Sequence, residues 1–259
     1  MENTDLWIIL AVVFILGAII GSFLNVCIYR IPAGVSIVFP ASRCPACSSG
    51  LRWYHNIPIL SYVFLRGKCA YCAKKISLRY PSIEALNGLL FVLVFYHFGV
   101  STISLVFFLF VSALVVITFI DLDYQIIPDA ISLPGIVVGF CCSFLLPWVG
   151  WQNSLFGLLL GGGSLFAVAS VYEFLTKKEG MGGGDIKLLA MIGAFLGWKA
   201  ILPIIFFSSL AGTVVGVPLM LLKGKDSRFA IPFGPFLAAA SIFYLFWGST
   251  VIRWYLTLF

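Results

Sequence analysis

The sequence predicts an all-α polytopic membrane protein with about eight transmembrane helices and one small polar loop domain. Three observations predict this. Of 259 residues, 61% are hydrophobic and only 10% charged, with a mean hydropathy of +1.09, whereas soluble surfaces are roughly 25–35% charged. Apolar runs recur at about the 20-residue length that crosses a bilayer. A single long polar stretch, residues 29–80, interrupts them.

The first run, Leu6 to Ile28, is too long for a signal-peptide core and lacks a basic leader, so it reads as a permanent first helix. The remaining runs are 83–98, 102–120, 130–147, 153–176, 185–198, 200–222 and 231–248. The sixth span is short and glycine-interrupted. The expected organisation is a first helix at 1–28, a loop domain at 29–80 and a membrane domain at 81–259. No internal repeat stands out, and Gly161-Gly162-Gly163 reads as a helix-packing site.

Charge sets the orientation. Residues 29–80 hold Arg30, Arg43, Arg52, Arg66, Lys68, Lys74, Lys75 and Arg79, with no Asp or Glu. The positive-inside rule puts this loop in the cytoplasm. Lys177, Lys178, Lys187, Lys223, Lys225 and Arg228 then fall on the same side, making 14 of the 16 basic residues cytoplasmic. Lys199 and Arg253 are left outside, with both termini. This distribution accounts for the net charge of +6 without a nucleic-acid partner.

Within the loop, Cys44-Pro-Ala-Cys47 and Cys69-Ala-Tyr-Cys72 stand 21 residues apart. Two CxxC pairs in one polar region read as a zinc ribbon, with four thiolates completing a tetrahedral site. Four protein ligands leave no position for water, so the zinc is expected to be structural and to supply much of the loop's folding free energy. Disulfides are disfavoured in the cytoplasm. Cys27, Cys141 and Cys142 read as packing residues, and His55 and His97 as isolated side chains.

Ionisable groups are costly in membrane spans, so those present are functional candidates. Asp121 closes the third span, and Asp185 follows a glycine run, Gly180-Met-Gly-Gly-Gly184. The 63 residues between them allow two crossings and their turns, returning Asp185 to the same depth. Two carboxylates at one depth can share a proton and a water, one as general base and the other as general acid. The glycines give either an open backbone for a substrate strand or a flexible turn before an Asp-capped helix. Asp129 reads as a helix cap, Asp123 as a loop charge or a partner of Asp121. Glu84 is either a helix-terminus complement or a group facing a polar cavity.

These residues resemble the type IV prepilin peptidase family, bifunctional leader peptidase/N-methyltransferases. The resemblance is carried by Gly21-Ser-Phe-Leu-Asn-Val26, the paired CxxC knuckles, Arg79-Tyr-Pro-Ser-Ile-Glu84, Ile120-Asp-Leu-Asp-Tyr-Gln-Ile-Ile-Pro-Asp129, Gly182-Gly-Gly-Asp-Ile-Lys-Leu188 and Ile231-Pro-Phe-Gly-Pro235. It implies cleavage of the basic leader of prepilins and type II secretion pseudopilins at the cytoplasmic face of the bacterial inner membrane. It further implies N-methylation of the new terminus with S-adenosylmethionine. It matches Asp121 and Asp185 to the family's catalytic pair, and the four cysteines to its cytoplasmic zinc domain. No cradle for the methyl donor is legible in the residues themselves. Two alternatives remain at this stage: a peptidase without methylation, and a non-catalytic zinc-ribbon scaffold or transporter.

Overall fold

The computed structural model describes residues 3–147, 149–177, 182–223 and 232–257. Glu2, Lys178, the first two residues of the glycine run (180 and 181), Lys225, Arg228 and Ile231 lie outside them. Nine α-helices occur among the described residues: α1 (Asn3–Arg30), α2 (Leu60–Phe64), α3 (Arg79–Phe98), α4 (Thr102–Tyr124), α5 (Asp129–Cys142), α6 (Gly150–Thr176), α7 (Gly183–Leu196), α8 (Ile201–Lys223) and α9 (Gly234–Leu256). There are no strands among the described residues, only two isolated bridges.

Among the described residues six helices are long and apolar enough to cross a bilayer: α1, α3, α4, α6, α8 and α9. The other two expected spans, 130–147 and 185–198, are short helices. Each of α5 and α7 has 14 residues, about 21 Å at 1.5 Å per residue, against a hydrocarbon core of about 30 Å. Gly197, at φ +79°, ends α7, and a 3₁₀ turn over Ser143–Leu145 follows α5. A short helix is tolerated at membrane depth when protein encloses it. Every residue of α7 from Leu188 to Phe195 is buried.

The chain forms two compact units, Met1–Val116 and Ile117–Phe259. In the first, α1 packs along α3. Side chains at Gly17 or Gly21 would strike the α3 backbone, at 2.8 Å from Gly88 Cα and 2.7 Å from Glu84 Cα. Small residues at this spacing let two backbones approach closely in lipid. Asn87 then reaches across to the Gly17 carbonyl at 2.7 Å and accepts from Ser112 of α4 at 3.1 Å. In the second unit α7 lies against α6 and α5. Gly157 abuts Gly193 and Gly161 abuts the Leu189 carbonyl, so the glycine stripe of α6 packs helices as its sequence suggests. Gly163 faces open space.

The three other cysteines divide. Cys27 is buried, but Cys141 is exposed and Cys142 half-buried, so Cys141 is not a packing residue.

Candidate active site and metal centre

The two CxxC knuckles are built alike. Cys44 N–H donates to the Ser49 carbonyl and Cys69 N–H to the Lys74 carbonyl, at 3.0 and 2.9 Å. The residue after each second cysteine, Ser48 or Ala73, takes a left-handed conformation at φ +56° or +55°, and each donates back to the carbonyl of the first cysteine. An antiparallel bridge closes each loop, Arg43 to Gly50 and Lys68 to Lys75. Every one of these features recurs at an offset of 25 residues, a local repeat that side-chain identity conceals.

The four sulfurs of Cys44, Cys47, Cys69 and Cys72 lie within 4.8 Å of one another, with Cys44 Sγ and Cys72 Sγ 3.9 Å apart. Tetrahedral thiolate bonds of about 2.3 Å to one ion put sulfurs about 3.8 Å apart, so the four residues fit a metal ion. The Ser49 hydroxyl, helped by its backbone N–H, pulls the Cys47 thiol down to about 6. Backbone N–H groups of Cys72 and Tyr71 lower Cys69. Both effects favour the thiolate, the metal-binding form, at Cys47 and Cys69. At Cys72 the Lys74 N–H acts in the same direction, but desolvation and the neighbouring thiols together push it up to about 11.

Asp121 stands in the last turn of α4, 5% exposed. Its Oδ2 accepts the backbone N–H of Gly234, the first residue of α9, at 2.9 Å. A helix N-terminus presents unpaired N–H donors and a partial positive charge, which suit a carboxylate. A Cβ at Gly234 would lie 2.6 Å from that same oxygen, so only glycine allows the approach.

Asp185 stands in the first turn of α7, next to Gly184, whose neighbour Ile127 also lies against Gly234 beside Asp121. Ile127 fills the angle between their supports. A Cβ on Gly184 would meet Ile127 Cβ at 2.8 Å, and one on Gly234 would meet Ile127 Cδ1 at 3.4 Å. Gly182 and Gly183 are exposed, and a Cβ on Gly183 would meet nothing within 4 Å. Beside the half-buried Asp185 there is thus bare, accessible backbone, where an extended peptide can approach.

The other acids separate cleanly. Asp123 is exposed, because two helical residues are about 200° apart around the axis. Asp129 does not cap α5; no side chain does, and Pro128 occupies the cap position. Asp129 instead receives both 2.7 and 2.9 Å bonds from Lys187 of α7, tying the starts of two short helices. Sequence reasoning missed this pair, as it missed Ile127 and the Gly234 N–H. The only signal was that all four lie within the quoted motifs.

Glu84, 8% exposed, is not in the first turn of α3. Its Oε2 accepts the Ile59 N–H at 2.7 Å. Ile59 has φ +61°, costly for a β-branched residue. The carboxylate therefore ties the polar loop's strained turn to α3.

Residues 15–98 match the bacterial peptidase A24 N-terminal domain, and residues 108–217 match the type IV leader peptidase family. A prepilin leader peptidase/N-methyltransferase of Aeromonas hydrophila is 38% identical over 98% of this chain and 96% of its own. The chain belongs to the type IV leader peptidase family. Relatives with the same description in Neisseria gonorrhoeae and Pseudomonas aeruginosa are 39% and 37% identical, covering 94% and 93% of this chain and 93% and 91% of their own. No solved structure matches the chain. The family is one of proteases, so this chain is an enzyme, and its six long apolar helices make it a multi-pass membrane protein.

Proposed function

We propose that this enzyme cleaves the basic leader from prepilins and pseudopilins with the Asp121/Asp185 pair and then N-methylates the new terminus. The observation that carries the peptidase half is a buried, backbone-anchored Asp121 brought near Asp185 by Ile127, which packs against both Gly234 and Gly184, beside exposed glycine backbone. One carboxylate takes a proton from water as the water oxygen attacks the scissile carbonyl carbon. The other, protonated, gives its proton to the carbonyl oxygen. Collapse of the tetrahedral intermediate breaks the C–N bond, and the nitrogen leaves with a proton returned from the pair. The Gly234 N–H keeps Asp121 in place throughout, and the Gly182–Gly183 backbone receives the extended substrate.

The methyltransferase half is supported by the relatives' shared description. S-adenosylmethionine supplies the methyl group. Cys44, Cys47, Cys69 and Cys72 would hold a structural zinc, whose role is to fold residues 29–80. We assign residues 1–28 to the first helix, 29–80 to the zinc loop and 81–259 to the peptidase domain. Charge distribution supports a bacterial inner-membrane enzyme with loop and aspartates at the cytoplasmic side and both termini outside.

The test is cleavage of a prepilin by purified enzyme, with product masses recorded. Wild type yields the shortened product, about 14 Da heavier when S-adenosylmethionine is present, and Asp121→Ala and Asp185→Ala yield either species about 10²–10⁴-fold more slowly. Folded wild type that cuts no prepilin overturns the reading.

A further inference from the structure

Ile19, Ser22, Phe23, Val26 and Arg30 of α1 form one wall of a cavity of about 430 Å³. Spacings of three and four residues keep them in a single stripe on one helix face. From Ile19 to Arg30 the stripe rises about 16 Å at 1.5 Å per residue, about half of a hydrocarbon core. The polar loop supplies the other wall, with apolar Ile37, Val38 and Ile57 and polar Ser42 and Asn56. The cavity therefore joins a membrane-spanning helix to a loop of eight basic residues and no acid.

Arg30 ends α1 and stands at the head of the stripe. It donates to the carbonyls of Ser36 and Pro40 at 2.9 and 2.7 Å, neutral acceptors that hold the guanidinium without cancelling its charge. These bonds occupy two of its five N–H donors, and those left suit the oxygens of a phosphate. Among the described residues that line the cavity, none is acidic. Two side chains of the loop wall are strongly exposed, Trp53 at 80% and Val38 at 66%. Exposed apolar groups beside a basic surface fit the headgroup level of a bilayer, where indole rings concentrate.

We propose that this cavity holds one anionic phospholipid of the leaflet in which α1 ends. An acyl chain lies along Ile19, Phe23 and Val26, the phosphate pairs with Arg30, and Ser42 and Asn56 hydrogen-bond the headgroup. Chain and phosphate follow each other along the membrane normal in the same order as the apolar residues and Arg30 along α1, so one molecule satisfies both ends. A free phosphate would leave the apolar stripe uncovered, and a basic peptide leader is repelled by the charge that attracts an anionic lipid. The proposal is independent of the peptidase reading, which its failure would leave standing.

The experiment places the full-length enzyme in nanodiscs of phosphatidylcholine and phosphatidylglycerol. Either lipid in turn carries a photoreactive acyl chain, and labelled residues are mapped by mass spectrometry. The expected result is label concentrated on Phe23, Val26 and Val38, well above the phosphatidylcholine level when phosphatidylglycerol carries the probe. Arg30→Gln and Val38→Glu should each lower that labelling about 5-fold, roughly what one charge near an anionic surface contributes, and Arg30→Lys should retain most of it. Arg30→Gln also removes the bonds to Ser36 and Pro40, so zinc content and elution profile monitor folding. Val38→Glu leaves those bonds in place and decides the matter if Arg30→Gln misfolds. Label spread evenly around α1, or equal with both lipids, overturns the proposal in favour of ordinary lipid contact. Loss of label to added glycerol phosphate gives the site to a soluble phosphate, and displacement by intact prepilin gives it to the substrate; either result overturns the lipid.

Discussion

The cluster of four cysteines and the pair of aspartates are both made of side chains that can carry negative charge, yet they are assembled by opposite means. Each cysteine knuckle closes on itself through bonds between residues five apart, Cys44 to Ser49 and Cys69 to Lys74. The bonds that aim its two thiols are local in the chain. The aspartates sit on separate helices, and the anchor of Asp121 comes from Gly234, 113 residues later. A locally closed site tolerates change elsewhere in the fold but fails when one ligand is lost. A site assembled from helix ends fails whenever a helix shifts, even with both carboxylates intact.

The comparison is sharpened first at the carboxylates. Asp121→Ala and Asp185→Ala should each lower prepilin cleavage by about 10²–10⁴-fold, the usual contribution of a positioned acid or base, with zinc content unchanged. Equal activity of either variant and wild type in a cleavage assay would break the pairing. Second, Cys44→Ser or chelation should unfold residues 29–80, since structural zinc supplies about 10–16 kcal/mol in small finger peptides. Methylation is then expected to fall further than cleavage, as read from product masses. Equal loss of both in protein that still inserts and accumulates would dissolve the separation.

Gly234→Ala comes next and tests assembly at a distance. Its methyl group would sit 2.6 Å from Asp121 Oδ2, so α9 or the carboxylate must move. Cleavage should drop about 10²-fold, the cost of roughly 1 Å of misplacement, chiefly in kcat. Asp129→Asn should cost less. The Lys187 pair is exposed, 39% and 55%, and such pairs contribute under about 1 kcal/mol, so the melting temperature should shift by only a few degrees. Asp123→Ala should be the mildest, with cleavage near wild type, because the side chain projects away from Asp121.

Some of this was legible in residue order alone. Helical class, the places of the apolar segments and the cysteine ligand set follow from composition and short-range spacing, and these act over a few residues. Asp121 and Asp185 stood out because charge is expensive in lipid, a property of the residue and its segment. Tertiary structure decided the rest. That 130–147 and 185–198 are short helices depends on enclosure of α7 by α5 and α6, which hydropathy along one segment does not register. Asp129 reads as a cap until Lys187 of another helix is brought to it, 58 residues away. Glu84 holds the strained Ile59 turn only once the loop is brought against α3, 25 residues along the chain. Sequence by itself determines what a residue is able to do, through propensity and the cost of its charge. Which partner it meets is decided by packing between segments distant in the chain, because those contacts exist only once the helices are in place.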